Sequence, residues 1–128
     1  MSYAKAVLLR LDVASQDDSV IKNYTGMISI EHILPQTATD NYWTERFEEK
    51  DVINQVHKIG NLVLLSGRKN SQAQNYSFDR KKEIYLKKNE ATSFDLTKKI
   101  CYIDEWGKDE ITNRQGDMIL LAKTIWKI

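Results

Sequence analysis

The stretch Met27-Ile28-Ser29-Ile30-Glu31-His32-Ile33-Leu34-Pro35-Gln36 joins a short β-branched run to a carboxylate, an imidazole and a chain-turning proline. β-Branched residues suit the pleated strand, and Pro35 closes the run because proline has no N–H to give to a ladder. A strand is expected over Ile28 to His32, ending in two reactive groups on consecutive residues. Regular pleating sends neighbours to opposite faces. Glu31 and His32 can therefore address one substrate atom only where the strand terminates or bulges, and Pro35 gives it a reason to do so.

Downstream, Asn61-Leu62-Val63-Leu64-Leu65 lies between Gly60 and Ser66-Gly67, flanks that favour a second strand over a helix. The connection at 37–57 is polar, with Trp43 and Phe47 four apart and Val52, Ile53 and Val56 at helical spacing, which predicts one or two short helices. Upstream, Tyr3, Val7 and Leu11 mark an amphipathic helix that polar Ser15 to Ser19 ends. Beyond Gly67, Arg68 to Gln74 has no breaker and is expected to begin a helix carrying Asn70. Phe78 to Lys88 predicts another helix. Leu96, Ile100 and Ile103 mark one further helical face, and Ile111, Met118, Ala122 and Ile125 another, both expected as core stripes. Trp43, Trp106 and Trp126 are expected as core anchors.

Length and composition bound the reading. A chain of 128 residues with 41% hydrophobic and 29% charged side chains, five glycines and one proline is one domain able to bury a core, which excludes a disordered or collagenous protein. The longest apolar run, Met118 to Ala122, is far short of the ~20 residues that cross a bilayer, and no basic-then-apolar leader opens the chain, so a cytoplasmic protein is expected. Cys101 is the single cysteine. It has no internal disulfide partner, and the chain lacks a Cys-x-x-Cys zinc pattern, so it reads as a small core hydrophobe.

The net charge of +1 conceals an uneven distribution. Residues 1–57 hold five basic and nine acidic side chains, residues 58–99 ten and four, and residues 100–128 four and five. A basic middle third gives either a lysine-rich solvated helix face or a phosphate-binding surface. Most of the excess is Arg68, Lys69, Arg80, Lys81, Lys82, Lys87 and Lys88.

Taken together, Glu31-His32-Ile33-Leu34-Pro35-Gln36, Asn61 in Gly60-Asn61-Leu62-Val63-Leu64-Leu65, and Asn70 nine positions on resemble the HNH, or ββα-metal (His-Me finger), nucleases. The likeness is closer to the C-terminal HNH-like domain of GmrSD-type modification-dependent restriction endonucleases. It extends through Trp43, His57-Lys58-Ile59-Gly60-Asn61-Leu62, Phe78…Lys81-Lys82, Trp106…Ile111…Arg114 and Ile125-Trp126, from about Tyr3 to the C-terminus. The resemblance implies a mostly helical α+β fold, a ββα-metal core of two antiparallel strands and one helix within about 27–75, with helical flanks at 1–26 and 76–128.

The resemblance also implies a metal-dependent endonuclease that hydrolyses DNA phosphodiester bonds, leaving 5′-phosphate and 3′-hydroxyl ends. A histidine with a pKa of ~6.5 suits the activation of water near neutral pH, which makes His32 the expected general base. Asn61 would fix its imidazole by hydrogen bonding. Glu31 and Asn70 would hold one Mg²⁺ (or Mn²⁺), oxygen ligands suiting a hard cation. Two departures from the family pattern are the glutamate at the first metal position and Asn70 in place of the last histidine. His57 either approaches the scissile phosphate or a nearby water, or only packs and caps the turn into Gly60. Arg68, Lys69, Arg80, Lys81 and Lys82 are expected to contact the nucleic-acid backbone.

In GmrSD-type systems such a domain follows an NTP-hydrolysing domain that governs restriction of modified phage DNA. The chain has no Gly-x-x-x-x-Gly-Lys-[Ser/Thr] loop and no length for that partner, so it is expected to be a fragment or a subunit of a larger restriction system. Two other readings fit the same residues: a catalytically inactive nucleic-acid-binding or assembly module with the same fold, and a phosphodiesterase acting on RNA or a small nucleotide.

Overall fold

The run Leu62-Val63-Leu64-Leu65 is apolar at every position, a pattern a strand tolerates only when both its faces are covered. All four residues are buried. The computed structural model describes residues 2–15, 27–67, 75–88 and 94–126. Within them, β1 (Ile28–His32) and β2 (Leu62–Ser66) pair antiparallel, with Ile28 opposite Ser66, Glu31 opposite Val63 and His32 opposite Leu62. The second strand begins one residue later than expected, because Ile59–Asn61 form a single 3₁₀ turn before it. Gly67 leaves β2 at φ 87°, a left-handed conformation that suits glycine, and its N–H donates to the Met27 carbonyl at 2.7 Å.

Alternation along β2 divides the interior into two clusters. Val63 and Leu65 face Ile33, Leu34, Trp43, Phe47, Phe78, Tyr85, Ile100, Trp106 and Ile111. Leu62 and Leu64 face Leu8, Leu11, Phe94 and Met118. The first cluster is roofed by α4 (Phe78–Lys88) and α5 (Asp95–Ile100), and the second by α1 (Ser2–Ala14) and α6 (Lys108–Trp126). This is the expected mostly helical α+β arrangement, with a two-stranded antiparallel sheet at its centre. The expected helix over Arg68 to Gln74 lies outside the described residues.

The long connection folds back through two short helices, α2 (Asn41–Thr44) and α3 (Glu49–Gln55). Asp40 caps α2 by accepting from the Tyr42 N–H at 2.8 Å, which satisfies one of the free donors of the first turn. Trp43 and Trp106 are fully buried as expected, and burying each side chain of this size stabilises the fold by about 3 kcal/mol. Trp126, expected as a third anchor, is 45% exposed at the end of α6. Cys101 is partly buried, its thiol near the Thr97 and Lys82 carbonyls, and burial pushes its pKa up. No helix among the described residues is long and apolar enough to cross a membrane.

Glycine is required where α6 crosses the 3₁₀ turn. A Cβ on Gly60 would lie 2.6 Å from the Ile111 carbonyl oxygen and 2.8 Å from the Gln115 nitrogen, so only a residue without a side chain admits the helix. The same turn is tied to α6 by polar contacts. Gly60 N–H donates to Gln115 Oε1 at 2.6 Å, and Arg114 Nη1 donates to the Gly60 and Leu62 carbonyls at 3.0 and 2.6 Å.

Candidate active site

β1 keeps its regular register to His32, with no bulge, and the pleat therefore separates the two reactive neighbours. Glu31 turns to the face of Val63, Tyr85 and Phe78. His32 turns to the face of Ile30 and Leu62, where those residues, Ala4, Gln36 and His57 line a cavity of about 460 Å³. The expectation that both groups converge on one substrate atom is corrected by this geometry, since Pro35 turns the chain only after the strand has delivered them to opposite sides.

On the open side, His32 Nε2 lies 3.3 Å from His57 Nδ1 and 3.3 Å from the Gln36 side-chain amide. The two imidazole rings have centroids 5.2 Å apart and cross at 78°, so they meet through their nitrogens and do not stack face on face. In the tautomer with Nδ1 protonated, His32 Nε2 accepts from the Gln36 NH₂ and carries the lone pair that a base needs. His57 is exposed on the turn after α3, and Gln36 is exposed four residues beyond His32. His57 thus reaches the imidazole of His32.

Asn61 does not orient that imidazole. Its Oδ1 accepts from Leu34 N–H at 2.8 Å and Trp106 Nε1 at 3.0 Å, while Nδ2 donates to the Leu34 and Val56 carbonyls at 3.0 and 2.9 Å. Two acceptor and two donor positions are all that an asparagine amide has, and here all are filled. The fully buried side chain clamps the segment after β1 to the end of α3 and to Trp106. Its influence on His32 passes through the backbone, because the Ile33 N–H donates to the Asn61 carbonyl at 2.9 Å.

On the closed side, Glu31 is only 3% exposed and Lys81 is fully buried. Lys81 Nζ donates to Glu31 Oε2 at 3.0 Å and to the His32 carbonyl at 2.8 Å, and Tyr85 Oη donates to the same carboxylate oxygen at 3.2 Å. Burial, then the charge of Glu31, holds the Tyr85 phenol well above its ordinary value of 10.0, so it stays a donor. Lys81 is thus corrected from a nucleic-acid contact to a buried counter-charge. Sequence reading missed this network because a lysine in a basic run looks solvated; the signal available was Phe78, Lys81 and Tyr85 recurring at three- and four-residue spacing on one helical face.

Lys82 is likewise largely engaged. Its side chain is 17% exposed, and its ammonium donates to the Ile103 carbonyl at 2.9 Å, pairs with Asp79 at 3.2 Å and lies 4.7 Å over the Phe78 ring. Arg80 is exposed and pairs with Glu83 at 3.0 Å in a solvated ion pair of small worth. Arg68, Lys69 and Asn70 lie outside the described residues.

A family model described as the C-terminal domain of GmrSD restriction endonucleases matches residues 1–121. The chain belongs to that family. No curated protein and no solved structure matches the chain. The matched span runs from α1 into the last turns of α6 and takes in the strand pair.

The Mg²⁺ (or Mn²⁺) site implied by the resemblance meets an obstacle in these residues. Glu31 already has an ammonium 3.0 Å from its carboxylate and is turned away from the cavity holding His32. A cation added there would be repelled by Lys81 and would not face the base. Among the described residues no cluster of three His, Cys, Asp or Glu offers another cage.

Proposed function

We propose that this domain hydrolyses phosphodiester bonds in DNA, with His32 as the general base that activates water. The observation that carries the proposal is the placement of His32 Nε2 in an open cavity, between the Gln36 amide and His57, in a chain of a restriction endonuclease family. An imidazole takes a proton efficiently near neutral pH. A water displacing the Gln36 amide from His32 Nε2 would sit where the lone pair can accept its proton. His57 holds the ring's outer edge and offers a second nitrogen to which charge can pass. Lys81, through the His32 carbonyl, and Asn61, through Ile33, keep the strand end from shifting as substrate enters.

Mg²⁺ or Mn²⁺ remains the cofactor that the resemblance implies, with Glu31 and Asn70 as its ligands. Glu31 is paired with Lys81 on the face opposite His32. The domain is proposed to act on DNA beside an NTP-hydrolysing partner, as part of restriction of modified or phage DNA, with Arg68, Lys69 and Arg80 toward the phosphates. The Glu31–Lys81 pairing favours one other reading, a module that binds nucleic acid or assembles without cleaving.

The test is nicking of supercoiled plasmid in EDTA, Mg²⁺ or Mn²⁺ by wild type and His32→Ala purified in parallel. Cleavage by wild type that the variant loses is the expected result. Equal cleavage by both would refute His32 as the base. DNA binding retained by both, without turnover in any buffer, would establish the non-cleaving module.

A further inference from the structure

The donors that the fold gathers in the His32 cavity are imidazole nitrogens, joined by an amide. Magnesium prefers oxygen, whereas imidazole suits zinc, copper and nickel. Two nitrogens bound at 2.0–2.1 Å to one tetrahedral zinc ion stand about 3.4 Å apart. His32 Nε2 and His57 Nδ1 are 3.3 Å apart. They come from β1 and from the turn after α3, two segments joined by the Asn61 clamp, so their spacing is built into the fold. Gln36 supplies a third atom: its amide already lies 3.3 Å from His32 Nε2, and rotation of that exposed group by half a turn presents Oε1 in place of Nε2.

We infer that His32 Nε2, His57 Nδ1 and Gln36 Oε1 form a binding site for one borderline transition-metal ion of the zinc class, completed by water from the cavity. The site is separate from Glu31, which lies on the other face of the strand pair. Binding replaces the contact between the two rings by a bond from each to the ion. It also occupies the lone pair through which His32 would accept a proton, so an ion held there blocks the base. Inhibition of DNA cleavage by zinc is the functional consequence, but occupancy of the site stands independently of the nuclease reading.

The test is calorimetric titration of Zn²⁺ into the untagged full chain, with Mg²⁺ titrated in parallel and the fold of each variant checked by circular dichroism. One Zn²⁺ per chain is expected, with no comparable binding of Mg²⁺. His57→Ala, at an exposed position, should weaken binding at least tenfold, while Gln36→Glu should tighten it by replacing an amide oxygen with a carboxylate. Absence of binding across the micromolar range would overturn the inference. So would undiminished binding by folded His57→Ala, whether or not the protein cleaves DNA.

Discussion

Glu31 and His32 are neighbours in the chain and face opposite sides of the strand pair, and one ammonium joins them: Lys81 Nζ is 3.0 Å from Glu31 Oε2 and 2.8 Å from the His32 carbonyl. The closed face thus holds, through the backbone, the residue that the open face displays. This arrangement makes the carboxylate a support for the strand end.

Breaking that pair from either side leaves an uncompensated charge in the core. Lys81→Met or Glu31→Leu alone is expected to destabilise the domain by about 3–5 kcal/mol, measured as a shift in the urea midpoint. The double variant should recover much of the loss, because two apolar side chains leave no charge unpaired. Additive losses would show that the two groups do not act as a pair.

Asn61 makes four hydrogen bonds from one buried amide, so its removal leaves several groups without partners at once. At about 1–3 kcal/mol for each buried group left unsatisfied, Asn61→Ala should unfold or nearly unfold the chain. Thermal melting followed by circular dichroism checks this. A variant that melts like wild type and loses only turnover would restore Asn61 to the reaction itself.

The strands and most helices could be read from pattern because apolar spacing reflects burial directly: Ile28 to His32 and Phe78 to Lys88 are found where periodicity places them. The site was legible to a lesser degree. His32 stands out as an imidazole at a strand end, but its company depends on contacts 25 residues away, as with His57, or 50 away, as between Glu31 and Lys81. Local spacing carries no information about such pairs. Lys81 also follows Arg80 and precedes Lys82 in one basic run, although the helix turns these three side chains to different surroundings.

Tyr85 gives the fold an alkaline limit. Its phenol is raised well above 10.0 by burial and then by Glu31, so the neutral form is favoured in the folded state. That contribution to stability is complete below the unfolded value and is lost as pH rises through the folded one. The melting temperature of wild type should fall above pH 10 more steeply than that of Tyr85→Phe. At neutral pH the same variant should be less stable by about 1 kcal/mol for its lost hydrogen bond. Parallel pH profiles would remove Tyr85 as the cause.

Gly60 admits α6 to the turn that begins β2, and the space it leaves is already filled by the Ile111 carbonyl and the Gln115 backbone. Both obstacles are helix backbone, so an added methyl must push α6 away. Gly60→Ala should cost at least 2 kcal/mol by overpacking. It should also loosen the Arg114 bonds to the Gly60 and Leu62 carbonyls. Chemical denaturation measures the loss, and faster amide exchange at Leu62 and Val63 would locate it. A stability equal to wild type would mean that α6 yields at no cost.

Arg80 and its two neighbours separate a phosphate surface from a structural one. Arg80 is exposed and pairs with Glu83, Lys82 is held by Asp79 and the Ile103 carbonyl, and Lys81 is enclosed. If the DNA reading holds, Arg80→Glu should weaken binding at all sequences alike and lower the salt slope by about one phosphate contact. Lys82→Ala should leave the slope almost unchanged, since its ammonium is turned to protein oxygens. Fluorescence anisotropy over a salt series distinguishes the two. A slope that falls with Lys82→Ala and not with Arg80→Glu would place the DNA on the Ile103 side of α4 and overturn the assignment of Arg80.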